Sequence, residues 1–118
     1  MKVGIDIVEV ERFNINNLES FLEKYYTVNE IIYINSKKNK LQTIAGIFAC
    51  KESVLKAFKI GIGLSISLKE IEIGHNNNIP RLVENACVLQ LKKENNITNI
   101  DVSISHTDKN AIAICIIN

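Results

Sequence analysis

The sequence predicts a single α+β domain, with a mostly antiparallel sheet packed against one long helix. Three observations carry this. A period-two apolar run opens the chain, a long helical pattern occupies its middle, and two alternating segments joined by a short polar turn close it. The 118 residues suit one domain, assigned to 1–118.

Val3, Ile5 and Ile7 alternate with Lys2, Gly4 and Asp6, the pattern of a strand half-buried on its Val/Ile face. Asp6 then points away from that face, towards solvent. After Ile7 the phase is lost through Val8, Val10 and Arg12. Residues 17–26 read as a helix, because Leu18, Phe21, Leu22 and Tyr25 recur three and four apart. Thr27, three residues before Glu30, is a capping-box pattern that opens a second short helix through Ile31 and Ile32. A polar, basic connection follows over 36–40. The clearest helix spans 41–59, with Leu41, Ile44, Ala45, Phe48, Leu55 and Phe58 as its apolar stripe and Gly61 placed for a left-handed cap. Ile66, Leu68, Ile71 and Ile73 suggest a strand with an irregularity near Lys69. Residues 74–78 read as a loop, and Pro80-Arg81-Leu82-Val83 begins a returning strand. Residues 84–94 form an amphipathic helix through Ala86, Val88, Leu89 and Leu91, ended by Asn95 and Asn96. Val102 and Ile104 alternate with Ser103 and Ser105. Thr107-Asp108-Lys109-Asn110 then turns the chain into a last strand over 111–117.

Composition narrows the function classes. Fourteen basic and thirteen acidic residues nearly cancel, so net charge does not suggest a nucleic acid or a membrane as partner. Any charged partner is met by a local patch. Cys50, Cys87 and Cys115 are widely spaced and form no CxxC pair, which argues against zinc and fits a reducing cytosol. The opening Met-Lys-Val-Gly-Ile-Asp carries no signal or transit pattern, and no apolar run approaches the ~18 residues of a membrane span. The expectation is a cytoplasmic protein.

Several side chains could carry chemistry, and each has an ordinary structural explanation beside it. Asp6 is an acid in a strand, where Asp is poorly favoured, yet it could simply be solvated. Glu52 and Lys56 stand at i and i+4 on the long helix, a spacing that also suits a surface ion pair worth about 0.2–0.5 kcal/mol. As functional groups, Asp6 and Glu52 would be two carboxylates of an octahedral magnesium site, and Lys56 a phosphate contact. Ser105, His106 and Thr107 offer donors for a phosphate at a strand end, though a lone His beside a turn is more often a surface residue. Gly61-Ile62-Gly63 could bring backbone amides to a phosphate, or serve only as a cap and turn. His75, in an Asn-rich stretch, is assigned no role.

Four blocks occur together in order: Gly4-Ile5-Asp6-Ile7-Val8-Glu9-Val10-Glu11-Arg12-Phe13, Phe48-Ala49-Cys50-Lys51-Glu52-Ser53-Val54-Leu55-Lys56-Ala57-Phe58, Gly61-Ile62-Gly63, and Val102-Ser103-Ile104-Ser105-His106-Thr107. Their order and spacing resemble the bacterial holo-acyl-carrier-protein synthase family of 4'-phosphopantetheinyl transferases, over nearly the whole chain. The resemblance implies transfer of 4'-phosphopantetheine from coenzyme A to a serine of apo acyl carrier protein, in support of fatty acid biosynthesis. It implies Asp6 and Glu52 as magnesium ligands, Lys56 near the pyrophosphate, Gly61 and Gly63 beside coenzyme A, and His106 near the nucleotide phosphates. Arg12 matches an arginine that receives the acidic carrier. The family forms homotrimers with coenzyme A in clefts between subunits.

The chain departs from the family pattern in three places. Ile47 replaces an arginine before Phe-Ala. Lys59-Ile60-Gly61 replaces Gly-Thr-Gly. Ser20 stands where a basic residue often meets the carrier, a task Lys24 could take over. Other readings are the same chemistry on a different carrier domain, a non-catalytic trimeric module binding coenzyme A or a nucleotide, and a structural domain with accidental motifs. The metal pair speaks against the second of these.

Overall fold

The computed structural model describes residues 1–60 and 66–118. Among them are five strands, β1 (Lys2–Glu9), β2 (Ile73–Asn76), β3 (Ile79–Leu82), β4 (Ile100–His106) and β5 (Asn110–Ile117). Four α-helices join them: α1 (Leu18–Tyr25), α2 (Val28–Asn35), α3 (Lys40–Ala57) and α4 (Ala86–Asn95). β5 lies between β1 and β4, antiparallel to both, and β2 and β3 form a separate hairpin. The α+β expectation holds, with α3 lying across the three-stranded sheet. No helix is long and apolar enough to cross a membrane among the described residues.

Helix boundaries follow the capping chemistry. The Thr27 hydroxyl accepts from the Glu30 N–H while the Glu30 carboxylate accepts from the Thr27 N–H, so the capping box forms as read. Asn85 caps α4 through the Val88 N–H, and Asn96 ends it at φ 55°. α3 is buried on nearly every side, with each residue from Ile44 to Leu55 buried. It is therefore the central pillar of the fold, and the apolar stripe understated its burial.

Four expectations are corrected. The first concerns the faces of β1. Gly4 and Val8 are buried and Asp6 is half-buried against α3, whereas Val3, Ile5 and Ile7 are 50%, 54% and 63% exposed. Asp6 does point away from the Val/Ile face, but towards the helix and not towards solvent. The reason is close approach: a Cβ on Gly4 would lie 1.9 Å from the Ser53 carbonyl oxygen, so only this glycine lets the strand lie on the helix.

Second, the left-handed cap expected at Gly61 belongs to Lys59, at φ 60°, and the Ile60 N–H donates back to the Leu55 carbonyl in a Schellman-type closure. Gly61 and Gly63 lie outside the described residues. Third, the strand expected from Ile66 is a 3-10 turn, Leu68–Glu70. Leu68 and Ile71 are buried three apart, and both their carbonyls are taken by the Lys51 ammonium. Fourth, the loop read at 74–78 is mostly β2. Asn77 and Asn78, at φ 50° and 65°, make the tight hairpin turn.

Candidate active site

Where β1 crosses the C-terminal half of α3, the Gly4 contact draws two backbones together and brings three charged side chains into reach. Asp6 comes from the strand. Glu52 and Lys56 come from one helix face, one turn apart. Lys56 Nζ lies 2.8 Å from Asp6 Oδ1 and also donates to the Ile5 carbonyl at 3.1 Å. The other Asp6 oxygen, Oδ2, is buried and has no hydrogen-bond partner.

Glu52 is 7% exposed. Burial, and then the negative charge of Asp6, push its carboxyl above the usual carboxylate range, and Lys56 and Arg12 only partly offset this. Two crowded carboxylates, one with an orphaned buried oxygen, form a site short of positive charge. That donor set fits a hard divalent cation such as Mg2+, which typically takes one or two protein carboxylates and completes its shell with phosphate oxygens and water. No cluster of three or more acidic, His or Cys side chains exists among the described residues, so the two-carboxylate pattern is the one available.

Arg12 lies in the 3-10 turn Val10–Phe13 that follows β1. Its guanidinium sits 5.2 Å from the Phe48 ring centre and 5.9 Å from that of Phe13, exposed, and close enough to Glu52 to favour its ionised form.

The residues of the last block are not brought to this cluster. Across the sheet Asp6 pairs with Ala113, and Ala113 with Ile104, so β5 separates Asp6 from β4. A Cβ on Gly46 would touch Ile104, placing the N-terminal half of α3 over β4. His106 opens instead onto a cleft of about 130 Å3 lined also by Gln42, Thr43, Gly46, Ile104 and His75. Ser105 turns to the opposite sheet face, opposite Ile112. The Thr107 hydroxyl accepts from the N–H groups of Lys109 and Asn110, so it shapes the β4–β5 turn.

Two residues carry more than the sequence reading gave them. Lys51, inside the long motif, is fully buried, with Nζ 2.8 Å from Glu30 Oε1. Its place four residues after Ile47 and three after Phe48, on the apolar side, was the available signal. His75 stacks on Tyr33 with ring centres 3.8 Å apart. Nothing in the local sequence announces that contact.

Comparison with known proteins gives the family. The model of the 4'-phosphopantetheinyl transferase superfamily matches residues 2–115. The chain belongs to that family. It is 44% identical over 116 residues to a holo-[acyl-carrier-protein] synthase of Caldicellulosiruptor saccharolyticus, covering 97% of this chain and 93% of the relative. It is 38% identical over 118 residues to that of Finegoldia magna, covering 99% and 95%. It also shares 36% identity over 116 residues with the fatty acid synthase subunit alpha of Candida parapsilosis, where the match takes up 97% of this chain and 6% of the subunit. Among solved structures, the Helicobacter pylori holo-[acyl-carrier-protein] synthase in complex with coenzyme A superposes with TM-score 0.85 at 32% identity, covering 98% and 99% of the two chains.

Proposed function

We propose that this protein transfers the 4'-phosphopantetheine arm of coenzyme A to a serine of an apo acyl carrier protein, releasing 3',5'-ADP, with Mg2+ as cofactor. The observation that carries the reading is the Asp6–Glu52–Lys56 cluster, in a chain whose relatives are holo-acyl-carrier-protein synthases.

Asp6 and Glu52 would hold the cation. When bound, the cation would neutralise and orient the pyrophosphate of coenzyme A. Lys56 reaches the same phosphates from one turn further along α3, its side chain half exposed and flexible. The carrier serine oxygen bonds to the β-phosphorus as the bond to the 3',5'-ADP oxygen breaks, and the hydroxyl proton passes to water, directly or on to Glu52. Arg12, exposed beside the cluster, meets the acidic carrier and tunes its association. His106 attends the nucleotide end of coenzyme A, a role the family resemblance also implies for Gly61 and Gly63, while Ser105 on the other sheet face and the turn-bound Thr107 hydroxyl stand apart from it in one copy.

The active assembly is a homotrimer. Two observations support this. Val3, Ile5, Ile7 and Ile112 present an exposed apolar sheet face. The carboxylate cluster and the His106 cleft also lie at opposite halves of α3, and the coenzyme A clefts between subunits that the family resemblance implies would bring them together from two copies. The setting is fatty acid biosynthesis in the cytoplasm. Transfer to a carrier domain of a larger synthase is the second reading, favoured by the match within a fatty acid synthase subunit.

The test is a mass measurement on apo acyl carrier protein incubated with this protein, coenzyme A and Mg2+. The carrier gains one phosphopantetheine, about 340 Da, and chelation abolishes the gain. Asp6→Ala and Glu52→Ala retain the fold and lose transfer. Full activity in either variant refutes the assignment.

A further inference from the structure

Lys56 holds on to the same carboxylate that the proposed function gives to the cation. Its Nζ lies 2.8 Å from Asp6 Oδ1 and 3.1 Å from the Ile5 carbonyl, while Asp6 Oδ2 is buried and unpartnered. The two oxygens of one carboxylate are too close for an ammonium on one and a divalent cation on the other to escape mutual repulsion. Asp6 is anchored: its strand is pressed to α3 at Gly4 and its side chain is 13% exposed. Lys56 is held only by its ammonium, through Asp6 and the Ile5 carbonyl, with a side chain 52% exposed on a four-carbon stem. Of the two partners, Lys56 is the one that can leave.

We propose that Lys56 is a partner-exchanging residue: it neutralises Asp6 until the cation arrives, is displaced by it, and is thereby delivered to the substrate pyrophosphate. This rests on the metal reading above and adds a coupling to it. Cation binding and lysine delivery become one event, so the ammonium is released towards the phosphates only when the cation is in place to hold them.

The coupling has a signature of opposite signs. Removing Lys56 removes a competitor when the cation binds alone, and removes a ligand when the pyrophosphate is present. Mn2+, counted as free ion by electron paramagnetic resonance, serves as the probe with the parent and with Lys56→Met. In the absence of coenzyme A the variant binds Mn2+ about fivefold more tightly than the parent. In the presence of Mn2+ the variant binds coenzyme A more weakly than the parent. Removing the ammonium favours the cation even where Lys56 stays on Asp6, so the second experiment separates the two: a lysine that never leaves Asp6 gives the variant unchanged coenzyme A binding in Mn2+, and that result overturns the exchange. Equal or weaker Mn2+ binding by Lys56→Met overturns the exchange while leaving the metal reading intact. If the parent binds no Mn2+ with or without coenzyme A, or Asp6→Asn binds it as well as the parent does, both readings fall.

Discussion

Lys51 and Lys56 stand five residues apart on α3 and illustrate how strongly burial sets the worth of a charge. Lys51 and Glu30 are both fully buried and 2.8 Å apart. Burial lowers the proton affinity of the Lys51 amine and raises that of the Glu30 carboxyl, and each charge opposes the shift in the other. Lys51 also serves the Leu68 and Ile71 carbonyls, and Glu30 the Ile73 N–H, so the pair ties α2, α3 and the 3-10 turn together. Lys51→Met leaves Glu30 buried without its counter-charge and costs about 3–5 kcal/mol in urea unfolding. The double variant Glu30→Gln with Lys51→Met recovers most of that, because no isolated charge remains. At the same scale, burial and then the Lys37 charge push the His75 imidazole down to about 4. A depressed His contributes stability that is fully present above its unfolded value near 6.5 and is lost as pH falls through about 4. The melting temperature therefore drops between pH 7 and pH 4, and His75→Phe, which keeps the stack on Tyr33, drops less.

At the scale of elements, two backbone positions control how α3 meets its neighbours. Gly4 permits the contact of β1 with the Ser53 carbonyl. Gly4→Ala forces the strand outward, costs about 1–3 kcal/mol as an overpacked contact, and moves Asp6 from Glu52. Activity falls further than the loss of folded protein accounts for, which urea titration and the carrier mass assay together measure. Lys59 is the opposite case. It occupies the left-handed position after α3 at φ 60°, where a side chain costs roughly 1–2 kcal/mol relative to glycine. The resemblance places a glycine of the Gly-Thr-Gly pattern at this residue, so the departure carries a measurable strain. Lys59→Gly raises stability by about 1 kcal/mol in the same unfolding experiment, after the greater flexibility of the unfolded glycine is set against the strain.

For the whole molecule, the governing fact is that one chain leaves its Val/Ile sheet face bare and splits its candidate site residues between the two halves of the central helix. Ile5 and Ile7 lie at the middle of that face, 54% and 63% exposed. A small domain has little core to spare, and covering such a face is the usual remedy. Ile5→Lys combined with Ile7→Lys leaves the monomer fold intact, because neither side chain enters the core. The trimer reading predicts that the parent sediments as a trimer and the variant as a monomer, and that coenzyme A binding is lost with the trimer. A parent that sediments as a monomer and is still active contradicts the shared-site arrangement.

Much of this was legible from the chain alone. The helix start at Thr27, the closing strands and the α+β class all rest on short-range chemistry, which residues three or four apart already contain; the cap at Asn85, one residue after the start read at Glu84, was not read. The motif residues Asp6, Glu52 and Lys56 were legible as a set, and the fold brings them together. What local pattern could not say was which side of β1 faces the helix, since a strand with apolar residues on one face reads identically whether that face meets its own core or another surface. Nor could it place Lys51 in a buried pair with Glu30, turn 66–73 into a 3-10 segment, or separate His106 from Asp6 across β5. Those outcomes depend on contacts between residues tens of positions apart, where the close approach at Gly4 and the burial of α3 on nearly every side decide which face, partner and side of the helix each residue takes.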